Sequence, residues 1–513
     1  MGRSPRLSKS RFQLGLQCPK ALWLRCYRPE LAGAVSEVQQ AIFDQGHRVG
    51  AVARECFPDG ALVHEDYRQS AAALATTRRH LAGDWRCLFE AAFTYDDLFV
   101  RPDVLVRLDD GSCYLIEVKS STGVKPEHVT DAAVQRWVLE GAGLAVSRVS
   151  LLHLDSTYLY LGGPYDLDAL FALEDITVPV AEYLPCVPGE VARLRATLQA
   201  GCPDVLIGRQ CTKPYACAFV AHCHESLPDL PVTELPRVDA DLLATLLREG
   251  ILSLRDVPPD YPGLTPAQRE TCAIVQSGEP WFDPALASAL DGLVLPAHFL
   301  DFETWGSALP VFPGMSPYQQ VPVQWSLHTL AADGALVHRE YLHAEATDPR
   351  GAIADSLLEA LGGDDGPVVV YTDYEHRVLA ALADALPDRA ADLRALLPRL
   401  FDLHALVKRY VRHPGFRGRT SLKVVLPALA DDVTYEELAV RDGATATLRY
   451  EAATRGGLSE SERGRIFADL RAYCAVDTLA LVRVVQALAE QAGISPRRGP
   501  GATAPPGSVP AAR

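Results

Sequence analysis

Residues 101–121 read RPDVLVRLDDGSCYLIEVKSS, two runs rich in Val and Leu on either side of an Asp109-Asp110-Gly111 cluster. Apolar runs of this length joined by such a turn predict a β-hairpin. With residues 109–111 as the loop, Leu108 pairs with Ser112, and the same register sets Asp103 opposite Glu117. Paired residues share a face of a sheet, and so do residues two apart on one strand. Asp103, Glu117 and Lys119 are therefore expected on one surface. Two carboxylates and a lysine make a poor core. They make a good seat for a hard divalent cation with an ammonium beside it, the combination that activates water against a phosphodiester.

Upstream of the hairpin, residues 12–28 (FQLGLQCPKALWLRCYR) predict a helix interrupted at Pro19. Helices are also expected at 34–54, with Gly46 and Gly50 inside it, and at 68–83. Strands follow at 87–95, 97–108 and 112–120, then a helix at 129–140 and a strand at 148–154. Asp103 and Glu117 thus fall on the central strands of a mixed α/β unit. Residues 226–292 carry short helices with Pro-rich joints, clearest at 239–249 and 265–277. A second α/β unit opens with HFLDFET (298–304), VPVQWSLHTL (321–330) and LVHREYLHAE (336–345) as consecutive strands. A helix at 351–361, a strand at 367–372, a helix at 375–385 and a closing helix at 459–490 complete it. The expected division is a first domain at 1–225, a helical linker at 226–292 and a second domain at 293–492. A Pro/Gly/Ala-rich tail at 493–513 has too little to bury and is expected to be disordered.

The chain's 513 residues allow several domains. A net charge of -16 argues against coating nucleic acid with a basic surface, but leaves room for carboxylate metal sites and local cations. Two basic stretches stand out: Arg3, Arg6, Lys9, Arg11, Lys20, Arg25 and Arg28 near the start, and Lys408, Arg409, Arg412, Arg417, Arg419 and Lys423 later. They suit solvated helix faces or phosphate contacts. The start, MGRSPRLSKSRF, has no apolar core behind it, so a secretory signal is not expected. No run of about 18 apolar residues suggests a membrane span, and a cytoplasmic protein without membrane partners is the expectation.

In that compartment twelve cysteines point to metal or isolated thiols rather than to disulfides. Cys26, Cys56, Cys87, Cys113, Cys186, Cys272 and Cys474 are scattered, as small buried side chains are. Cys211-x5-Cys217-x5-Cys223 is patterned, with Cys18 far upstream and Cys202 outside the pattern. Four thiolates suit zinc or an iron–sulfur cluster. A second acidic set lies further on. Asp301 and Glu303 are two apart on a strand, Glu375 opens a helix, and Tyr473 and Asp477 share one face of the closing helix at i, i+4. Between them HPGFRGRTSLKVVLP (413–427) mixes cations, Gly and Phe, a composition suited to phosphate contacts and stacking.

The hairpin, with Gln135 on the helix after it, resembles the RecB-type nucleases of the PD-(D/E)XK superfamily. That resemblance implies Asp103 and Glu117 as ligands of Mg²⁺ or Mn²⁺, Lys119 as the lysine that positions the attacking water, and Gln135 as the glutamine of the following helix. It also implies Glu90 as a further acidic ligand. Leu139 stands where an aromatic residue often follows, and Gly50 where many relatives carry a histidine ligand, His47 being displaced along the helix. Cys18, Cys211, Cys217 and Cys223 resemble the set that holds a 4Fe–4S cluster in iron–sulfur-stapled RecB-like exonucleases, tying the chain start to the domain end.

The second acidic set resembles the DEDD 3′–5′ exonucleases, which have a ribonuclease H-like core. The resemblance implies Asp301, Glu303, Glu375 and Asp477 as ligands of two divalent ions, with Tyr473 orienting the water. Thr372-Asp373-Tyr374-Glu375 departs from the usual Asn-x-x-Phe-Asp, so Asp373 is an alternative ligand, and Asp402 is a candidate neighbour. Most of residues 8–490 is similar to a bacterial family that joins the two kinds of domain, more firmly at the motifs than in the linker. The implied fold is α/β: a PD-(D/E)XK restriction-endonuclease-like domain and a ribonuclease H-like domain with a helical linker. The implied function is a metal-dependent nuclease, an exonuclease acting on DNA ends or single strands in DNA repair, processing or defence, with RNA open as a substrate. Two rivals stand beside it: one active site with the other reduced to a binding groove, and a non-catalytic iron–sulfur nucleic-acid-binding protein.

Overall fold

A computed structural model describes residues 5–66, 68–494 and 497–498. Arg3 of the first basic stretch and nearly all of the expected tail lie outside the described residues. The fold is mixed α/β and divides into two compact units. One runs to Leu227 and includes Ser307–Gln319; the other comprises Pro228–Gly306 and the chain from Gln320 on.

The first unit begins with two short helices, α1 (Lys9–Gln17) and α2 (Pro19–Tyr27). Pro19 cannot continue α1, and the backbone extends at Cys18 (φ -158°) before Pro19 opens α2 at a position where its missing N–H costs nothing. Helix α3 (Glu37–Ala53) follows. The main sheet has six strands lying side by side in chain order: β1 (Gly60–Leu62), β2 (Cys87–Phe89), β3 (Val104–Arg107), β4 (Cys113–Lys119), β5 (Val146–Leu154) and β6 (Phe171–Asp175). The β3–β4 register, Val104 to Ile116 through Arg107 to Cys113, is the one the turn predicts, and Leu108 N–H closes it onto Ser112 O at 2.8 Å. Extended by one pair it sets Asp103 level with Glu117. Two expected strands are each broken. Residues 87–95 separate at Glu90, which has φ 54°, and 97–108 separate at Arg101-Pro102. A three-stranded sheet of Leu7–Ser8, Leu98–Val100 and Phe93–Tyr95 takes the other halves.

Helix α4 (Pro126–Gly141) links β4 to its parallel neighbour β5 and buries Ala132, Ala133, Val134, Val138 and Leu139 in the main core of this unit. A second apolar cluster, with Val49, Ala53, Phe89, Val104 and Ile116, packs α3 on the opposite face. Strand β4 is therefore covered on both sides, and its polar end is held in a dry setting.

In the second unit, residues around 230–275 form an apolar cluster of their own, built on the helices Ala240–Arg248 and Pro266–Ser277. The sheet comprises β7 (Ala297–Trp305), β8 (Val321–Leu330), β9 (Leu336–Leu342), β10 (Val368–Val370) and β11 (Leu400–Asp402), ordered β9-β8-β7-β10-β11. The first three pair antiparallel, and β10 and β11 add parallel to β7. Helices α5 (Arg350–Leu361) and α6 (Tyr374–Ala385) pack with Leu300 and Phe302 on one face. The other face meets α7 (Leu422–Leu429) and α9 (Glu460–Gln491), which share a cluster with Phe299; α8 (Gly443–Arg455) lies between them in sequence. Because side chains alternate along β7, Asp301 and Glu303 project on the same face as Phe299. Helix α9 is long and apolar enough to cross a membrane, yet 61% of its apolar window is buried inside the protein, so it serves as a core helix.

Candidate functional site

The second unit gathers its expected acids in one cleft of about 420 Å³, lined by Asp301, Glu303, Glu375, Tyr473 and Asp477. Each comes from an element argued above: the centre of β7, the start of α6 and one face of α9. The charges of Asp477, Glu303 and Glu375 add to burial in holding the Asp301 carboxyl well above the usual range. Burial pushes Glu303 up to about 8, helped by Asp477, and burial pushes Glu375 to about 8 as well. Four desolvated carboxylates repelling one another are a cation site by chemistry. One atom makes the case sharply. Glu375 is 2% exposed, and its Oε2 is buried with no hydrogen-bond donor among the described residues.

Ligand atoms of Asp301, Glu303 and Cys474 lie within 4.8 Å of one another. Cys474 is a neighbour rather than a ligand: its thiol donates to Asp301 Oδ2 at 3.5 Å, and burial together with the Asp301 charge keeps it protonated. A hard cation prefers the oxygens. Tyr473 OH accepts a hydrogen bond from Lys423 Nζ at 2.9 Å, and Tyr435 OH donates to Asp477 Oδ1 at 2.6 Å. Asp373, the alternative to Glu375, is exposed, pairs with Arg377 at 3.4 Å and does not line the cleft. Asp402 caps its own helix through Ala405 N–H and accepts from Thr372 N–H at 3.3 Å. Thr372 has φ 88°, an unfavourable conformation for a β-branched residue, at the turn that delivers Glu375. In the basic loop, Phe416 is 3% exposed and so unavailable for stacking, and Arg417 and Arg419 pair with Glu234. Among the loop's cations, Lys423 reaches the site.

In the first unit the hairpin brings Asp103, Glu117 and Lys119 together as the register requires. Asp103 Oδ2 accepts from Val118 N–H at 2.8 Å. Glu117, 1% exposed, accepts from Lys119 Nζ at 2.6 Å and from Gln135 Nε2 at 2.7 Å. Two participants come from outside the motif. Lys9 Nζ also reaches Glu117 Oε1, at 2.8 Å, and Asp131 Oδ2 accepts from Lys119 Nζ at 2.8 Å. Burial alone would raise Glu117, but the Lys119 and Lys9 ammoniums outweigh it and lower its pKa. Asp103 goes the other way, raised to about 7 by burial and by the Glu117 charge. Gln135 Oε1 is buried without a donor among the described residues. Glu90 stands one strand away with its carboxylate 3.4 Å from Arg101 Nε, and its charge helps to raise Asp103.

Cys18, Cys211, Cys217 and Cys223 line a single cavity. Backbone N–H groups of Ala21 and Phe219 point at Cys18 Sγ and Cys217 Sγ, each at 3.4 Å. Gln17 Nε2 bonds both Gln210 O and Tyr215 O at 2.7 Å, so the end of α1 is tied directly to the cysteine loop. Four thiolates around one cavity suit either zinc or an iron–sulfur cluster. Cys202 is exposed, as is Cys186.

Residues 298–421 match a family model described as a domain of unknown function, DUF2779. The matched segment contains Asp301, Glu303 and Glu375 and ends before Tyr473 and Asp477. A solved structure described as "Crystal structure of SSO0001" is similar at 13% identity, over 44% of this chain and 90% of that one, with a TM-score of 0.21. No curated protein matches.

Proposed function

We propose that this chain is a metal-dependent nuclease that hydrolyses phosphodiesters at DNA ends or in single strands, with a candidate site in each unit. The observation that carries the reading is the convergence of Asp301, Glu303, Glu375, Asp477 and Tyr473 on one cleft, with a buried Glu375 oxygen that has no donor. The sheet order β9-β8-β7-β10-β11, with β8 antiparallel to its neighbours, is compatible with a ribonuclease H-like core, and the first unit's acid–lysine set with a PD-(D/E)XK domain. Divalent ions, when bound, would polarise the phosphoryl oxygens and lower the pKa of the attacking water. The carboxylates would hold them. Tyr473, hydrogen-bonded by Lys423, would orient the attacking water. In the first unit Asp103 and Glu117 would hold the metal, and Lys119 would steer the water or the developing charge.

The four cysteines would hold a 4Fe–4S cluster, and the N–H donors at Cys18 Sγ and Cys217 Sγ support thiolates there. Its role here would be structural, fixing the N-terminal helices to residues 211–223. A cytoplasmic setting suits reduced thiolates.

A second reading, in which only the second unit hydrolyses and the first binds, has one observation in its favour. Both Glu117 oxygens are already engaged, by two ammoniums and an amide. Glu117→Gln and Glu303→Gln, separately and together, distinguish these readings on labelled single-stranded DNA and RNA with Mn²⁺. Two active sites require each single variant to keep part of the activity and the double variant to lose it. A double variant as fast as the parent sinks the nuclease reading.

A further inference from the structure

A cleft of about 510 Å³ in the first unit is lined by Arg6, Lys9, Arg11, Arg25 and Arg101, with Phe99 and three serines, and no carboxylate among its lining residues. In a chain with 65 acidic residues against 49 Lys and Arg, five cations around one cleft stand out against the bulk composition. Their pairing is uneven. Arg6 is 3.5 Å from Asp97, hydrogen-bonds Thr94 and lies over the Phe99 ring at 5.6 Å. Arg101 is fastened to the carbonyls of Glu90, Glu65 and Val63. Arg11 bonds the Arg6 carbonyl, and neither Arg11 nor Arg25 pairs with a carboxylate among the described residues. Lys9 belongs to two places at once, since it lines this cleft and touches Glu117 and Asp131.

We infer that this cleft is the seat of the phosphodiester backbone of a single nucleic-acid strand, leading past Lys9 to the Asp103/Glu117 carboxylates. The chemistry is specific in kind. Arginines bind phosphate oxygens through planar forks, and the half-buried Phe99, with Arg6 over its ring, lends the wall apolar surface for a base to touch. Arg6 and Arg101 are held by neighbours and shape the walls, whereas Arg11 and Arg25 have charge to spare for phosphates. The inference rests on the hydrolase reading of the first site for its direction, but the binding itself is separable from hydrolysis.

The test is fluorescence anisotropy of a short labelled oligothymidylate with the full chain in EDTA, titrated at several salt concentrations. Each phosphate contact on a single strand contributes about 0.7 to the slope of log affinity against log salt. Arg11→Gln combined with Arg25→Gln should therefore lower the slope by about 1.4, and weaken binding about 25-fold at about 0.1 M salt. Arg11→Lys with Arg25→Lys, which keeps both charges, should leave the slope nearly intact and exclude a folding defect. Phe99→Ala should weaken binding without changing the slope. A folded Gln variant with parental slope and affinity overturns the assignment. Equal binding of poly-glutamate overturns the nucleic-acid class. If the parent binds as described but cleaves nothing with Mn²⁺, the hydrolase reading fails and the cleft stands; if it cleaves while the Gln variant keeps its slope, the cleft alone fails.

Discussion

Lys9 Nζ lies 2.8 Å from Glu117 Oε1, joining residues 108 apart in the sequence at the centre of the first acidic site. Lys119 reaches the same oxygen at 2.6 Å, so the buried carboxylate is shared between two ammoniums. Removing one of them leaves a charged partner short of a donor. A charge-assisted hydrogen bond of this kind is worth about 1.5–3 kcal/mol, and the remaining lysine puts the loss at the lower end. Lys9→Met should thus destabilise the protein by about 1–2 kcal/mol in a urea titration. Because it removes one of the two ammoniums on Glu117 Oε1, it should also tighten Mn²⁺ binding at this site, read by calorimetry in a Glu303→Gln background. Unchanged or weaker Mn²⁺ binding would show that Lys9 does not compete with the cation.

The second site makes a prediction about pH. Glu303 and Glu375 are held at about 8 in the folded protein, against an ordinary 4.5. The folded state therefore keeps protons that the unfolded chain has already released. The stabilisation from these groups is complete below about pH 4.5 and is lost as pH rises through about 8. His128 and His328, lowered to about 4 by burial, act in the opposite sense, losing stability as pH falls from about 6.5 to about 4. Above about pH 6.5 these two histidines no longer contribute. Metal-free protein should melt at progressively lower temperature from about pH 7 to about pH 9. The rise in Tm on adding Mn²⁺ should grow over the same range, since the ion replaces protons. Scanning calorimetry of the parent against a Glu303→Gln, Glu375→Gln variant measures this. A Mn²⁺ effect independent of pH in the parent would count against a carboxylate-bound ion.

How much of this could be read in the sequence depended on distance along the chain. The turn at 109–111 pins the hairpin register, so Asp103, Glu117 and Lys119 were visible as a set. Periodicity likewise joined Asp301 to Glu303, and Tyr473 to Asp477. Lys9 was visible only as part of a basic run, because its partner is set by how α1 packs. Asp131 carried a readable signal that went unused: it lies four residues before Gln135 and so faces the same way on α4. Lys423 was grouped with a loop suited to stacking, but Phe416 turned inward and the loop's arginines found Glu234. The merged strands at 87–95 and 97–108 failed where Glu90 takes a positive φ and where Pro102 lacks a donor.

The cysteine cavity predicts a composition. Purified without oxygen, the protein should carry about four irons and four sulfides per chain, with broad visible absorption. Cys18→Ser, Cys211→Ser, Cys217→Ser and Cys223→Ser should each lose most of the iron. Cys202→Ser, altering an exposed thiol, should retain it. Because Gln17 ties the end of α1 to residues 210–215 and the proposed cluster would add a second link through Cys18, Cys18→Ser should also expose α1 and α2 to proteolysis. A colourless protein with stoichiometric zinc would overturn the assignment.

Lys423 is the cation that the second site places on its tyrosine. Its ammonium donates to Tyr473 OH at 2.9 Å and stands over the rings of Tyr473 and Tyr435 at 4.8 and 5.3 Å. With an oxygen lone pair committed to Lys423, the Tyr473 hydroxyl keeps its proton, because burial and then the charges of Asp477, Glu303 and Asp301 hold it from ionising. A phenol fixed in this way can orient water without itself becoming a base. Tyr473→Phe should lower kcat about tenfold or more while leaving KM nearly unchanged, since the interaction matters when charge develops. Lys423→Met should produce a smaller loss of the same kind. The double variant should be no worse than Tyr473→Phe alone, because the lysine acts through the hydroxyl. Measured in a Glu117→Gln background, where only the second site is intact, strictly multiplicative losses would show that Lys423 contributes by another route, and a raised KM would assign it to substrate binding instead.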